Sequence, residues 1–411
     1  MEKISLLDGK NIILAVTGSI AVYKAVDLAS KLTQAGAKVD VVMTTAAQQF
    51  VTPLTFQAVT GRAVYTDLWK TDSGGGLPTH IAHVGLGEGA DLMLVAPITA
   101  NTIAKLANGF ADDLLSVTAL AVRCPMVIVP AMDGGMYEHP ATQANLNTLM
   151  ARNVHLIEPE VGRFASGLVG KGRFPDTATL IGHIRRIIGL SGELAGHKLV
   201  VTAGGTHEAL DPVRYITNRS SGKQGYAIAQ AGIDAGANVT LITTTTHLPE
   251  PVGATIVQVE SAESMRDAVL DHVQDATALV MSAAVADYKP AQVSDQKIKK
   301  SDSDLSLSLA RTSDILMTVK EQRASTGFPR IAVGFAAESQ NLLDNARGKL
   351  QRKGLDLLVA NDITAEDAGF AVDTNRVIVL DRDGGQTPLE LTSKANIGAY
   401  LIQRIVDLLD S

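Results

Sequence analysis

The sequence predicts an α/β protein of two Rossmann-like domains, each a mostly parallel sheet flanked by helices. Three observations carry this expectation. The chain has 411 residues and is 46% hydrophobic, too long for one ordinary core and natural for two domains of about 200 residues each. Two separate stretches begin a strand, a glycine turn, a helix and a second strand: NIILAVTGSIAVYKAVDLASKLTQAGAKVDVVMT, and KLVVTAGGT followed by SSGKQGYAIAQAGIDAGANVTLI. Between them, IRRIIGLSGELAGHKLVV ends a helix near Ile188 and passes through Gly-Leu-Ser-Gly-Glu into a new strand. The domains so defined are residues 1–190 and 191–411.

In the first domain the apolar run Ile12 to Val16 reads as a strand and Thr17 to Ser19 as a tight turn. A helix follows from about Ile20 to Gln34, stopped by Gly36, and then a strand at Val39 to Met43. Such a βαβ unit predicts parallel pairing with a right-handed crossover. Leu92 to Ala96 and Met126 to Val129 are further strands, and ITANTIAKLANGFADDLLSVTALA between them is helical with a break near Gly109. The glycine-rich GRFASGLVGKGRF, Gly162 to Phe174, reads as a mobile flap. In the second domain, strands are expected at Lys198 to Thr202, Ala278 to Ser282, Ile331 to Phe335 and Leu357 to Ala360, with TTTT at Thr243 to Thr246 as a strand end. No fixed-period repeat is present.

Composition excludes several functions. The net charge is −7 and aromatics are 4%, so the basic stripe with stacking rings that nucleic-acid binding needs is missing. No apolar run approaches the roughly 20 residues of a membrane span. Cys124 is the only cysteine, which rules out intrachain disulfides and a cysteine zinc site. The start, MEKISLLDGKNIILAV, lacks a signal-peptide layout. These features predict a soluble cytoplasmic protein acting on small molecules.

Chemistry concentrates at strand ends, where open α/β sheets bind ligands. TGSIAVYK sets Ser19 and backbone N–H groups at a helix start, a natural anion site, although a plain tight turn explains it equally. Thr99, Asn101 and Thr102 follow another strand and serve either a ligand or helix capping. His83 precedes a strand and suits proton transfer. His80 stands three residues before it, but a third convergent metal ligand is lacking. Asp133, in PAMDGGMY, ends a strand beside a Gly-Gly pair. Neither half carries the G-x-G-x-x-G dinucleotide pattern, which argues against an NAD-dependent oxidoreductase.

TGSIAVYKAVDL, VMTTAAQQFVTPLTFQAVTG, APITANTIAKLANGFADDLLS and PAMDGGMY together resemble the flavin-dependent cysteine decarboxylases. More narrowly they resemble the phosphopantothenoylcysteine decarboxylase half of the bifunctional coenzyme A synthesis proteins, over nearly all of residues 8–185. The resemblance implies a flavodoxin-like domain with FMN at a subunit interface, touching Gly18, Ser19, Thr45, Thr99 and Asn101, and His83 as the catalytic histidine. It implies oxidation of a cysteinyl group at the flavin, loss of carbon dioxide, and return of the electrons with a proton. Two positions depart from the family. Asp133 stands where the family has asparagine, and Ser166 where it has the proton-donating cysteine. An ionised aspartate offers only acceptors and repels a substrate carboxylate, and a hydroxyl is a far weaker acid than a thiol.

The second half resembles phosphopantothenate–cysteine ligase across about residues 195–405. The likeness runs through TAGGTHEALDPVRYITNRSSGKQGYAIAQAGIDAGANVTLI, SAAVADYKP, KIKK, SDIL, VGFAAES and ARGKLQRKGLDLLVANDI. It implies a reaction in which the carboxylate of 4′-phosphopantothenate attacks CTP to give an acyl cytidylate, which cysteine then aminolyses. Asn218 and Lys297 match the key residues. Ser282, Ala283, Asp287, Lys297, Ser313, Asp314, Ile315, Leu316, Phe335, Lys349 and Lys353 match positions around CTP, with Asp287 as a ligand to Mg²⁺. The family assembles as trimers through the flavin half and dimers through the ligase half, so a homo-oligomer is expected. Asp133 and Ser166 leave two versions open: a bifunctional enzyme, or a ligase fused to a degenerate flavin domain kept for assembly.

Overall fold

A computed structural model describes residues 2–69, 82–163, 167–300, 305–338, 342–362 and 372–410. The chain divides into two units, Met1–Ile188 and Gly189–Ser411.

The first unit runs β1 (Asn11–Val16), α1 (Val22–Gln34), β2 (Lys38–Met43), α2 (Pro53–Thr60), β3 (Val64–Tyr65), α3 (Ala82–Gly89), β4 (Leu92–Ile98), α4 (Ala100–Asn108), α5 (Leu114–Ala121), β5 (Met126–Pro130), α6 (Gly134–Tyr137), α7 (Pro140–Met150), β6 (His155–Leu156), β7 (Glu160–Arg163), β8 (Val169–Arg173) and α8 (Thr177–Gly189). Its main sheet has the order β3-β2-β1-β4-β5-β6, and every pair is parallel. β4 is buried along its whole length, as a strand covered by helices on both faces must be. One face carries Leu14 with Val22, Ala25, Leu28, Ala29 and Leu32 of α1, the i, i+3, i+4 stripe of an amphipathic helix. The other carries Ile13 with Ile103 and Leu106 of α4 and Leu114 of α5. The break expected near Gly109 separates α4 from α5.

The glycine-rich segment differs from its sequence reading. β7 and β8 pair as an antiparallel ribbon, because β-branched and long side chains at Val161, Arg163, Val169 and Lys171 alternate with the glycines. The ribbon is tied down where the Met132 N–H donates to the Gly172 carbonyl at 3.1 Å. Ser166 lies outside the described residues, as does His80.

The second unit runs β9 (Lys198–Ala203), β10 (His207–Ala209), β11 (Tyr215–Thr217), α9 (Lys223–Asp234), β12 (Asn238–Thr243), β13 (Thr255–Gln258), α10 (Ala262–His272), β14 (Ala278–Met281), β15 (Tyr288–Pro290), β16 (Leu309–Arg311), α11 (Ile315–Thr326), β17 (Ile331–Glu338), α12 (Leu342–Lys353), β18 (Leu357–Asp362), β19 (Thr374–Asp381), β20 (Gln386–Ser393) and α13 (Lys394–Leu409). The sheet order is β13-β12-β9-β14-β17-β18-β19-β20. The first six strands are parallel, and β19 and β20 add an antiparallel edge. α9 and α13 pack on one face and α10, α11 and α12 on the other. Both units thus repeat one strand order, with a switch point between β1 and β4 in the first and between β9 and β14 in the second. Ligand crevices form outside the carboxyl ends of strands at such points.

Candidate active sites

At the switch point of the first unit, buried Thr17 joins the ends of β1 and β4. Its Oγ1 donates to the Pro97 carbonyl at 2.9 Å and accepts the Thr99 N–H at 3.0 Å. The Ser19 hydroxyl donates to the Ala131 carbonyl at 3.0 Å, which ties the turn after β1 to the end of β5. Gly18 lies so close to the next loop that a Cβ there would stand 2.5 Å from the Ala46 Cβ, and exposed Thr45 leads into that loop. Thr99 caps α4, and Asn101 is exposed on its first turn. Gly18, Ser19, Thr45, Thr99 and Asn101 therefore share one edge of the sheet with Asp133. The Ser19 hydroxyl, expected to face an anion, is instead committed to the fold.

Asp133 is the N-cap of α6, where its Oδ1 accepts the Gly135 N–H at 3.1 Å. α6 ends on buried Tyr137, whose hydroxyl donates to Glu158 Oε2 at 2.6 Å. Lys171 of the ribbon reaches the same oxygen at 2.7 Å and lies 5.6 Å over the Tyr137 ring. Burial and then the bond to Glu158 push the tyrosine's pKa well up. Burial raises Glu158, but the bonds from Lys171 and Tyr137 outweigh it and hold the carboxyl below its usual range. His83 sits in the first turn of α3, a helix absent from the sequence reading, and is half-buried. No described contact joins it to the crevice.

The second unit holds a cleft of about 500 Å³. It gathers Asn218, Ser282, Ala283, Asp287, Ser313, Asp314, Ile315, Leu316, Phe335, Lys349 and Lys353. The fold places them by simple means. Gly204, at φ +90°, takes a left-handed turn where a Cβ would run into Thr244 Oγ1. This lets the turn after β9 clip to the segment after β14 through the Ala284 N–H and the Gly204 carbonyl at 2.8 Å. Asp314 caps α11 and pairs with Lys353 at 3.1 Å. Lys349 donates to the Phe335 carbonyl at 2.7 Å. Both lysines thus reach the cleft from one face of α12, as their i, i+4 spacing requires. The Asn218 amide donates to the carbonyls of Ala284 at 3.2 Å and Val285 at 3.3 Å. Its Nδ2 is occupied, and among the described residues no hydrogen bond reaches its Oδ1.

Lys297 does not line this cleft; it is exposed on the segment after β15. Its neighbour Ile298 is clamped: the N–H donates to Asp211 Oδ2 at 3.1 Å, and the carbonyl accepts from Arg214 Nη2 at 2.7 Å. Arg214 also forks onto Asp211, and this pairing holds the buried carboxyl far below its ordinary pKa. The sequence reading also missed Lys223, Gln224, Asn361 and Lys394, which line the cleft. The available signal was a polar residue closing an apolar strand, as in LLVAN.

Two doubly wound units, one with a hydroxyl-rich crevice at its switch point and one with a lysine-lined cleft, define a two-domain α/β enzyme. The Flavoprotein family matches residues 2–189, and the DNA/pantothenate metabolism flavoprotein C-terminal domain matches residues 194–409. The chain is 45% identical to the coenzyme A biosynthesis bifunctional protein CoaBC of Bacillus subtilis (strain 168), over 98% of each chain. It is 43% identical to the protein of that name from Mycobacterium tuberculosis (strain ATCC 25618 / H37Rv), over 97% of each. The chain belongs to the family of coenzyme A biosynthesis bifunctional proteins, and its first unit is a flavoprotein domain. Among solved structures it is similar to the C-terminal domain of a protein of the same name, at 37% identity and a TM-score of 0.46, covering 54% of this chain and 99% of that one. It is also similar to the FMN-dependent cysteine decarboxylase SpaF, at 34% identity and a TM-score of 0.37, covering 43% of this chain and 95% of that one. The family match runs through both halves, so the alternative of a degenerate first domain gains no support over the two-activity reading. Among the described residues no helix is long and apolar enough to cross a membrane.

Proposed function

We propose that the second domain joins cysteine to 4′-phosphopantothenate through an acyl cytidylate made from CTP, and that the first decarboxylates phosphopantothenoylcysteine to 4′-phosphopantetheine. The observation that carries the ligase reading is the cleft itself, which draws eleven nucleotide-type and carboxylate-type positions from separate segments into one space. Lys349 and Lys353 supply positive charge against a triphosphate, and the exposed Asp287 carboxylate is a hard oxygen ligand suited to Mg²⁺ beside phosphate oxygens. No covalent nucleophile is needed, because orientation and charge stabilisation suffice for both steps.

In the first domain the crevice fits FMN. The α4 amino end, the exposed Thr45 hydroxyl and the exposed Asn101 amide offer donors to a phosphate and a polyol. Bound FMN supplies two-electron chemistry, while the chain's residues orient the substrate and handle protons. His83 is the candidate proton acceptor, and Asp133 and Ser166 stand at the substrate's carboxylate and at the returning proton. The working assembly is a homo-oligomer, trimeric through the first domain and dimeric through the second, acting in the cytoplasm. Exposed Ile20, Tyr23 and Met136 beside the crevice support an interface on that edge.

The test is a mass-spectrometric time course with 4′-phosphopantothenate, CTP, cysteine, Mg²⁺ and FMN. Phosphopantothenoylcysteine is expected first and 4′-phosphopantetheine after it. Absence of CTP-dependent pyrophosphate release would overturn the ligase reading. The flavin site has its own check. Gly18→Ala puts a methyl against Ala46 and is expected to cost the first domain about 1–3 kcal/mol, as overpacking does. A lowered urea midpoint and loss of yellow colour on purification would register it; an unchanged midpoint would show that the turn adapts freely.

A further inference from the structure

The inner corner of the ligase cleft contains polar groups that the roles assigned above leave unused. α9 and α13 pack side by side and start at this corner. Lys223 and Gln224 open α9, and Lys394 opens α13. Asn361, one residue before the end of β18, is paired opposite Val377, so its side chain points to the face that α9 and α13 cover. All four residues line the cleft.

Among the described residues, two of these side chains hold buried oxygens with no hydrogen-bond partner: Gln224 Oε1 and Asn361 Oδ1. The Gln224 orientation is fixed, because its Nε2 donates to the Lys394 carbonyl at 3.2 Å and a flipped amide would set oxygen against oxygen. Asn361 is only 8% exposed, and an unmet acceptor at such a site costs free energy unless a ligand meets it. Charge around the corner is positive. Lys394, 6% exposed, donates to the Val372 carbonyl at 2.6 Å, and Lys223 pairs with Asp373 at 2.6 Å. Burial first, and then Lys223, lower the Lys394 pKa to about 8, with Asp373 opposing them. An anion brought to this corner would relieve that strain on the charge. The amino ends of two helices add to the same field.

Resting on the ligase reading above, we infer that Lys223, Gln224, Asn361 and Lys394 form a specificity corner for a phosphorylated substrate, with the lysines facing the phosphate and the two amide oxygens accepting from a hydroxyl or N–H beside it. Inorganic pyrophosphate has no such donor and satisfies only half of the corner. A phosphate ester with a neighbouring hydroxyl or amide satisfies all of it. Both substrates of the ligase have this chemistry, CTP through its ribose and 4′-phosphopantothenate through its hydroxyl and amide.

The test is calorimetric titration of the full chain with CTP and, separately, with 4′-phosphopantothenate. Wild type is compared with Asn361→Leu, Gln224→Met and Lys394→Met, with the thermal midpoint of each variant recorded. The expected result is a Kd raised about tenfold for one ligand, at a midpoint within a few degrees of wild type, and the ligand affected names the occupant. Gln224 is half-buried, so Gln224→Met carries the test if Asn361→Leu does not fold. Unchanged Kd values for both ligands in the folded variants would overturn the inference, as would losses that merely follow a falling midpoint. Wild type that binds neither ligand would sink the ligase reading, and this corner with it.

Discussion

Asn218→Ala is expected to slow amide formation about 10–100-fold while CTP-dependent pyrophosphate release continues. Residue type alone gives Asn218 both a donor and an acceptor, and suggests that it holds the acyl carbonyl by donation. The structure points to the other role. Its Nδ2 faces the carbonyls of Ala284 and Val285, so the group turned to a ligand is an acceptor. In this reaction an acceptor serves the incoming cysteine amine, which gains positive charge as it attacks the acyl cytidylate. A hydrogen bond to such a group is worth about 1.5–3 kcal/mol, which is the 10–100-fold expected. Quenched time points analysed by mass spectrometry would then show acyl cytidylate accumulating in the variant. If pyrophosphate release falls by the same factor as amide formation, Asn218 acts at carboxylate activation and this assignment is wrong.

The parallel core of each domain was legible because covered strands must be apolar and helices must carry a 3.6-residue stripe. Leu92 to Ile98 and Val22 to Leu32 announce themselves in this way. The antiparallel edge was not legible. In TNRVIVLDRDGGQTPLEL the second strand has only Leu389 and Leu391 as apolar side chains on one face and is largely exposed, and its turn depends on Asp381 accepting the N–H groups of Asp383 and Gly385. The site was legible where glycines and strand ends mark it, as at Gly204 and Phe335. It was hidden where it depends on distant packing. The placement of Gln224, Asn361 and Lys394 in one corner follows from α9 lying against α13, which no local pattern states. The clamp of Asp211 and Arg214 on Ile298 likewise joins segments more than eighty residues apart.

Ser166→Cys is expected to raise the rate of 4′-phosphopantetheine formation by about 10²–10⁴-fold, the usual contribution of a well-placed general acid. A thiol with a reference pKa of about 8.5 gives up a proton far more readily than a serine hydroxyl. The variant should also acquire a fall in rate as the pH rises through about 8.5, where the thiol loses the proton it must donate, and wild type should lack that fall. Asp133→Asn is the cleaner companion. Asp133 caps α6 through the Gly135 N–H, and asparagine caps as well as aspartate, so the loop is expected to keep its shape. On the proposed role of Asp133 the substitution removes a negative charge from beside the substrate carboxylate, so KM for phosphopantothenoylcysteine should drop with little effect on stability. Tyr137 is a poor substitute donor, because its proton is committed to Glu158 and its pKa is pushed up. If Ser166→Cys leaves both the rate and the pH profile unchanged, the proton reaches the product by another group, and His83 becomes the residue to replace next.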